Sequence, residues 1–163
     1  MNFTSTKLLR FFASASILGL TLVLVLVGVT SAGAGPTCLP VVGRVVDQAS
    51  TGPSTSHGRM VGVLRGDYYV TATGSSPASS SYPSIEFFTG ESRLETRRGN
   101  LYFFESSGLD TAEQDGINGA ALLTIVDGDG FYSGATGHLS LSGYFHGSTG
   151  TGEWRYVGQV CRP

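Results

Sequence analysis

The sequence predicts an all-β fold, an antiparallel barrel of about eight strands, on three observations. First, no stretch after Gly35 keeps apolar residues at the helical period over three turns. Second, alternation is common. Leu139, Leu141, Gly143 and Phe145 share one face of a segment, against His138, Ser140, Ser142 and Tyr144 on the other. Trp154, Tyr156, Gly158 and Val160 likewise oppose Glu153, Arg155, Val157 and Gln159. Such a period of two marks half-buried strands. Third, the two cysteines, Cys38 and Cys161, stand near the two ends of the chain left after the N-terminal segment.

That first segment is read as a secretory signal. Lys7 and Arg10 precede an uncharged run from Phe11 to Val29, and the small residues Ser31-Ala32-Gly33-Ala34 follow. A basic start, an apolar core and a small-residue site predict cleavage after Ala34, leaving one domain over 35–163. The alternative is an uncleaved anchor, since the run is just long enough for a bilayer, which takes about 20 residues. No later hydrophobic stretch is long enough to insert stably in a membrane. Export would end in the periplasm or the medium.

Strands are expected near 41–46, 58–66, 67–73, 84–97, 99–106, 117–126, 137–145 and 152–160. Turn chemistry separates them: Arg98-Gly99-Asn100, Asp127-Gly128, Asp129-Gly130 and Gly147-Ser148-Thr149-Gly150. Asp47 to His57 and the serine-rich run Gly74 to Ser81 read as mobile loops, and Ser106 to Gly116 as an acidic one. Glu91, Arg93, Glu95 and Arg97 alternate in sign and are expected to face water, which turns Ser92, Leu94 and Thr96 inward.

This many short strands fit a barrel or a sandwich. In an exported domain an even pair of cysteines forms a disulfide, so Cys38 and Cys161 are expected to be bonded. In an up-and-down barrel the first and last strands are neighbours, and such a bond would lock their seam. The 24 glycines also suit the sharp bends of a small barrel.

Ten basic residues, two of them in the signal segment, stand against twelve acidic ones. This balance, with no basic patch interleaved by aromatics, gives nucleic acid no footing as a partner.

Three patches resemble bacterial secreted proteins with an allene-oxide-cyclase-like barrel, themselves similar to plant dirigent proteins. The first runs from Phe88-Thr89-Gly90-Glu91-Ser92-Arg93 to Gly99-Asn100-Leu101. The second, the most specific, is Gly128-Asp129-Gly130-Phe131-Tyr132-Ser133-Gly134-Ala135-Thr136-Gly137. The third is Gly152-Glu153-Trp154-Arg155-Tyr156-Val157-Gly158-Gln159-Val160-Cys161. Asp127, Asp129 and Tyr132 depart from the family's pattern. The resemblance implies an eight-stranded, calycin-like barrel with an apolar interior. In plant relatives that interior holds a reactive small molecule and steers its cyclisation or coupling. No catalytic residue of those relatives aligns by motif.

Other chemistries lack their residues. The glycine-rich hairpin is followed by Leu139-Ser140-Leu141-Ser142, a strand, where a nucleotide loop needs a helix. Asp127 and Asp129 lack the remaining ligands of a calcium loop; an incidental surface site would add Asp110, Glu113 and Asp115, against the plainer reading of a polar turn. His57, His138 and His146 match no metal motif, and no Gly-x-Ser-x-Gly elbow is present. No cofactor is called for.

The aromatic residues carry the functional expectation. Tyr102, Phe104, Phe145, Trp154 and Tyr156 are assigned to one interior, with Glu105 as an acid or base at its rim. An eight-stranded barrel is either filled by its side chains or holds one small ligand. Two functions follow: a secreted barrel that binds a small apolar molecule, with cyclase- or dirigent-like steering as its chemistry if it has any, or a non-enzymatic structural or interaction domain with a filled barrel. Interior volume separates them. Oligomeric state is not readable from the sequence.

Overall fold

Alternating side chains become a cylinder when each strand pairs on both sides. In the computed structural model, which describes residues 35–112 and 116–163, this closure is complete. The strands are β1 (Thr37–Gly52), β2 (Thr55–Gly62), β3 (Gly66–Ser79), β4 (Tyr82–Thr96), β5 (Gly99–Asp110), β6 (Ile117–Gly128), β7 (Thr136–His146) and β8 (Thr151–Arg162). They form a closed antiparallel barrel in chain order, β8 returning to β1. The expected signal segment lies outside the described residues, as do Glu113 and Asp115.

The seam between β1 and β8 pairs Cys38 directly with Cys161, and the two are joined by a disulfide with their Cα atoms 3.8 Å apart. Such a bond fits an oxidising compartment.

All eight expected strands are present, but several run further than composition indicated. Asp47 to His57 is no loop. Asp47, at φ 54°, makes a bulge in β1, after which the strand continues to Gly52 and turns into β2 at Thr55. The serine-rich run is also paired: Gly74 to Ser79 extends β3 against β4, with Ser76 opposite Phe87. β5 likewise continues to Asp110. Serine, threonine and glycine are loop formers by composition, yet here they sit in strand extensions on projecting hairpins, that of β3 exposed to water.

The two ends of the barrel differ. The end where β1 begins and β8 ends is closed. A short 3-10 turn, Gly130–Tyr132, lies across it, with Phe131 N–H donating to the Arg98 carbonyl and the Phe131 ring between the guanidiniums of Arg98 and Arg162. Above this cap the core is dry: Val45, Met60, Leu94, Leu101, Leu123 and Leu139 are fully buried, with Phe103 and Tyr68 beside them. The other end, under the β1–β2 and β3–β4 hairpins, is open.

Candidate functional site

The open end holds a cavity of about 250 Å³. Its walls are mostly apolar: Val70 and Ala72 from β3, Phe88 from β4, Leu109 from β5, Ala121 from β6, Leu141 and Phe145 from β7, and Trp154 from β8. The β1–β2 hairpin supplies a polar rim through Gln48, Ser50, Ser54 and Ser56. That hairpin is pinned in place: Ala72 N–H donates to Ser54 O at 2.7 Å, and Ser50 N–H to Gly150 O at 3.1 Å.

Trp154 is 8% exposed and lies over two glycines. A β-carbon at Gly143 would stand 2.9 Å from Trp154 Cδ2, and one at Gly119 2.9 Å from Trp154 Cη2. The missing side chains on β6 and β7 are therefore what lets the indole lie inside the wall. Its Nε1 is buried without a hydrogen-bond partner among the described residues.

The floor carries one ionisable pair. Glu105 points inward from β5, opposite Gly90 of β4, where no side chain competes for the space. Tyr68, reaching from β3, donates its hydroxyl to Glu105 Oε2 at 2.9 Å. Oε1 accepts no hydrogen bond from the described residues. The Ser92 hydroxyl is buried beside the pair, near enough to influence both groups but outside hydrogen-bond geometry with any described residue. Burial pushes the Glu105 carboxyl above the usual carboxylate range, while Tyr68 and Ser92 act the other way. Burial, followed by the charge of Glu105, pushes the Tyr68 hydroxyl well above its ordinary value. Among the described residues lining the cavity there is no arginine, lysine or histidine. The arrangement can accept a hydrogen bond or exchange a proton at one point of an otherwise apolar chamber.

The sequence-assigned aromatic residues divide into three groups. Phe145 and Trp154 line the cavity, and Glu105 is on its floor rather than at its rim. Tyr156 is interior but belongs to the closed end, where its hydroxyl accepts from Leu64 N–H and donates to Leu64 O, both at 3.0 Å. Burial raises its pKa above the ordinary value.

Tyr102 and Phe104 are corrections: both point outward. Phe104 is 45% exposed, whereas Phe103 is 1% exposed in the core. Directly paired residues share a face. Leu101 pairs with Leu94 and Phe103 with Ser92, so the inward face of β4 fixes the odd-numbered residues of β5 as inward. Tyr102 and Phe104 instead pair with Arg93 and Glu91 of the outward charged ladder, in which Arg93 and Glu95 form an ion pair at 2.7 Å.

Asp127 closes β6, paired with Tyr102 of β5, and Asp129 stands in the turn that follows. Asp129 takes Asn100 N–H, Asn100 Nδ2 and the Tyr102 hydroxyl, and the Asn100 N–H leads in holding its carboxyl below the ordinary range. Asp127 accepts from Gly128 N–H.

Sequence reasoning faced Ser92 inward without assigning it to the site, and missed Tyr68 and the β1–β2 rim. Tyr68, Val70 and Ala72 do alternate in the sequence, but Tyr69 and Thr71 make the opposite phase equally plausible.

No family model, curated protein or solved structure matches this chain.

Proposed function

We propose that this protein is an exported barrel that binds a small, largely apolar molecule in the open half of its interior. The observation that carries this is the cavity itself: about 250 Å³, walled by Phe88, Leu141, Phe145 and Trp154, with a single carboxyl on its floor. That volume stands just below the range of drug-sized pockets, which starts near 300 Å³, and suits a compact molecule of one or two rings. Export is supported by the basic and apolar N-terminal segment together with the Cys38–Cys161 bond. Kinship with allene-oxide-cyclase-like barrels is part of the same proposal, supported by the three sequence patches. Any steering of a reactive guest would fall to Glu105 and Tyr68, the pair able to move a proton there.

The filled-barrel alternative draws on the closed half, where Leu94, Leu101, Leu123 and Leu139 leave no exposed surface. Trp154, the only tryptophan, decides between them. Titration with compact phenolic or terpenoid compounds is expected to shift its emission, and native mass spectrometry of protein from its own source to retain an apolar guest. A Trp154 that responds to none of them, in a protein that carries no guest, would favour the structural role.

A further inference from the structure

Resting on the cavity reading above, we propose that the guest carries a positively charged amine, which Glu105 receives at the cavity floor. Glu105 Oε2 is taken by the Tyr68 hydroxyl, while Oε1 has no partner among the described residues. With the Tyr68 hydroxyl on Oε2, the other oxygen has only the neutral Ser92 hydroxyl nearby and is open to a donor brought by the guest; a cation there would hold Glu105 as the carboxylate.

A guest seated over Glu105 would strip water from that oxygen. A buried carboxylate left without a partner is strongly unfavourable. The protein supplies no compensating charge, because no described cationic residue lines the cavity. Tyr68 from β3 is the titratable group packed against Glu105; its neighbours on β4 and β6, Gly90, Ser92 and Leu123, carry no charge. An ammonium on the guest would supply the counter-charge that keeps Glu105 ionised there. Phe88, Phe145 and Trp154 line the same chamber, and aromatic rings suit an ammonium more than an anion. A fatty acid or other carboxylate would meet Glu105 as a like charge.

Three probes of one skeleton test this by calorimetry at neutral pH: 2-phenylethylamine, 2-phenylethanol and 3-phenylpropanoate. The amine is expected to bind roughly tenfold tighter than the alcohol, with the carboxylate weakest. Acidification through the titration of Glu105 should weaken the amine and leave the alcohol unchanged. Glu105→Gln should bring the amine down to about the alcohol's affinity, with the circular dichroism spectrum and unfolding midpoint reporting that the variant is folded. An alcohol or carboxylate that binds the wild type as tightly as the amine would overturn the charge preference and leave the cavity reading standing. An amine preference that survives in a folded Glu105→Gln protein would overturn the role of Glu105. Should none of the three bind, both the preference and the cavity reading fall. The ranking on the wild type decides even if the variant does not fold.

Discussion

Tyr156→Phe removes one oxygen atom from the closed end of the barrel, and the structure sets its consequence. The hydroxyl accepts from Leu64 N–H and donates to Leu64 O, each at 3.0 Å, with Val61 O at 3.4 Å. Leu64 is 3% exposed, so water has little access to these groups. A buried donor or acceptor left unpaired costs about 1–3 kcal/mol. Two such groups, offset by the easier burial of a phenyl ring, give an expected loss of about 2–4 kcal/mol. That is a large share of the roughly 5–15 kcal/mol by which domains are stable.

Urea unfolding of the oxidised protein, followed by far-UV circular dichroism, should show a lower midpoint at unchanged slope. Because Tyr156 lies away from the cavity, guest affinity should not change. Gly43 provides a second variable. A β-carbon there would collide with the Tyr156 hydroxyl and with the Val61 carbonyl. Gly43→Ala should therefore be destabilising, and less so in the Tyr156→Phe background, because the two share one contact. A Tyr156→Phe loss below about 0.5 kcal/mol, the level of an ordinary surface change, would refute the reasoning by showing that Leu64 finds other partners.

Other expectations follow from the same packing. Replacing both Cys38 and Cys161 by serine frees a 123-residue separation in the unfolded chain, an entropy of about 5 kcal/mol as an upper figure, and the unfolding midpoint should drop by the equivalent of about 3–5 kcal/mol. Phe103→Ala should cost about 3–5 kcal/mol and Phe104→Ala no more than about 1 kcal/mol; equal losses by denaturation would contradict the facing of β5. The raised carboxyl of Glu105 favours the folded state below the ordinary glutamate value of about 4.3, and that contribution disappears as pH rises through the folded-state value. Glu105→Gln removes this dependence, so its stability relative to wild type should improve as pH rises from acid towards neutral. A difference that stays flat across that window in parallel melts would count against the burial of Glu105.

Strand number and order were legible because several turns announce themselves chemically and each of the last two strands has one apolar and one polar or charged face. Trp154 could go nowhere but inward once Glu153 and Arg155 went to water. β5 was harder. Leu101-Tyr102-Phe103-Phe104 offers two apolar phases, so alternation alone has no preference. The information lay next door: the tight turn at Arg97-Arg98 pairs Thr96 with Gly99, and counting back from it sets Leu101 against Leu94. Register from the neighbouring strand, applied after the charged ladder had been faced outward, yields Phe103 and Glu105 as interior.

The cavity rim could not be reached this way. Gln48 to Ser56 is polar, and its place over the barrel mouth depends on the Asp47 bulge and on hydrogen bonds to β3 and to the β7–β8 turn. These are contacts between segments distant in sequence. The Tyr68–Glu105 bond similarly joins residues 37 apart across an intervening strand.

The projecting β3–β4 hairpin has one further consequence. A closed cylinder offers no unpaired strand to a neighbouring molecule, but β3 outlasts its partner: pairing with β2 ends at Thr71, while β3 continues to Ser79. From Thr73 onward one side of that strand is a bare edge, the kind of surface on which chains stack into aggregates. Its residues are suited to refusing such additions. Pro77 has no N–H to offer an incoming strand, Gly74 weakens the extended run, and Ser75, Ser76 and Ser79 present no apolar strip for a second sheet to grip. The composition that made this segment look like a loop is, in the folded barrel, what keeps this open flank from recruiting a stranger.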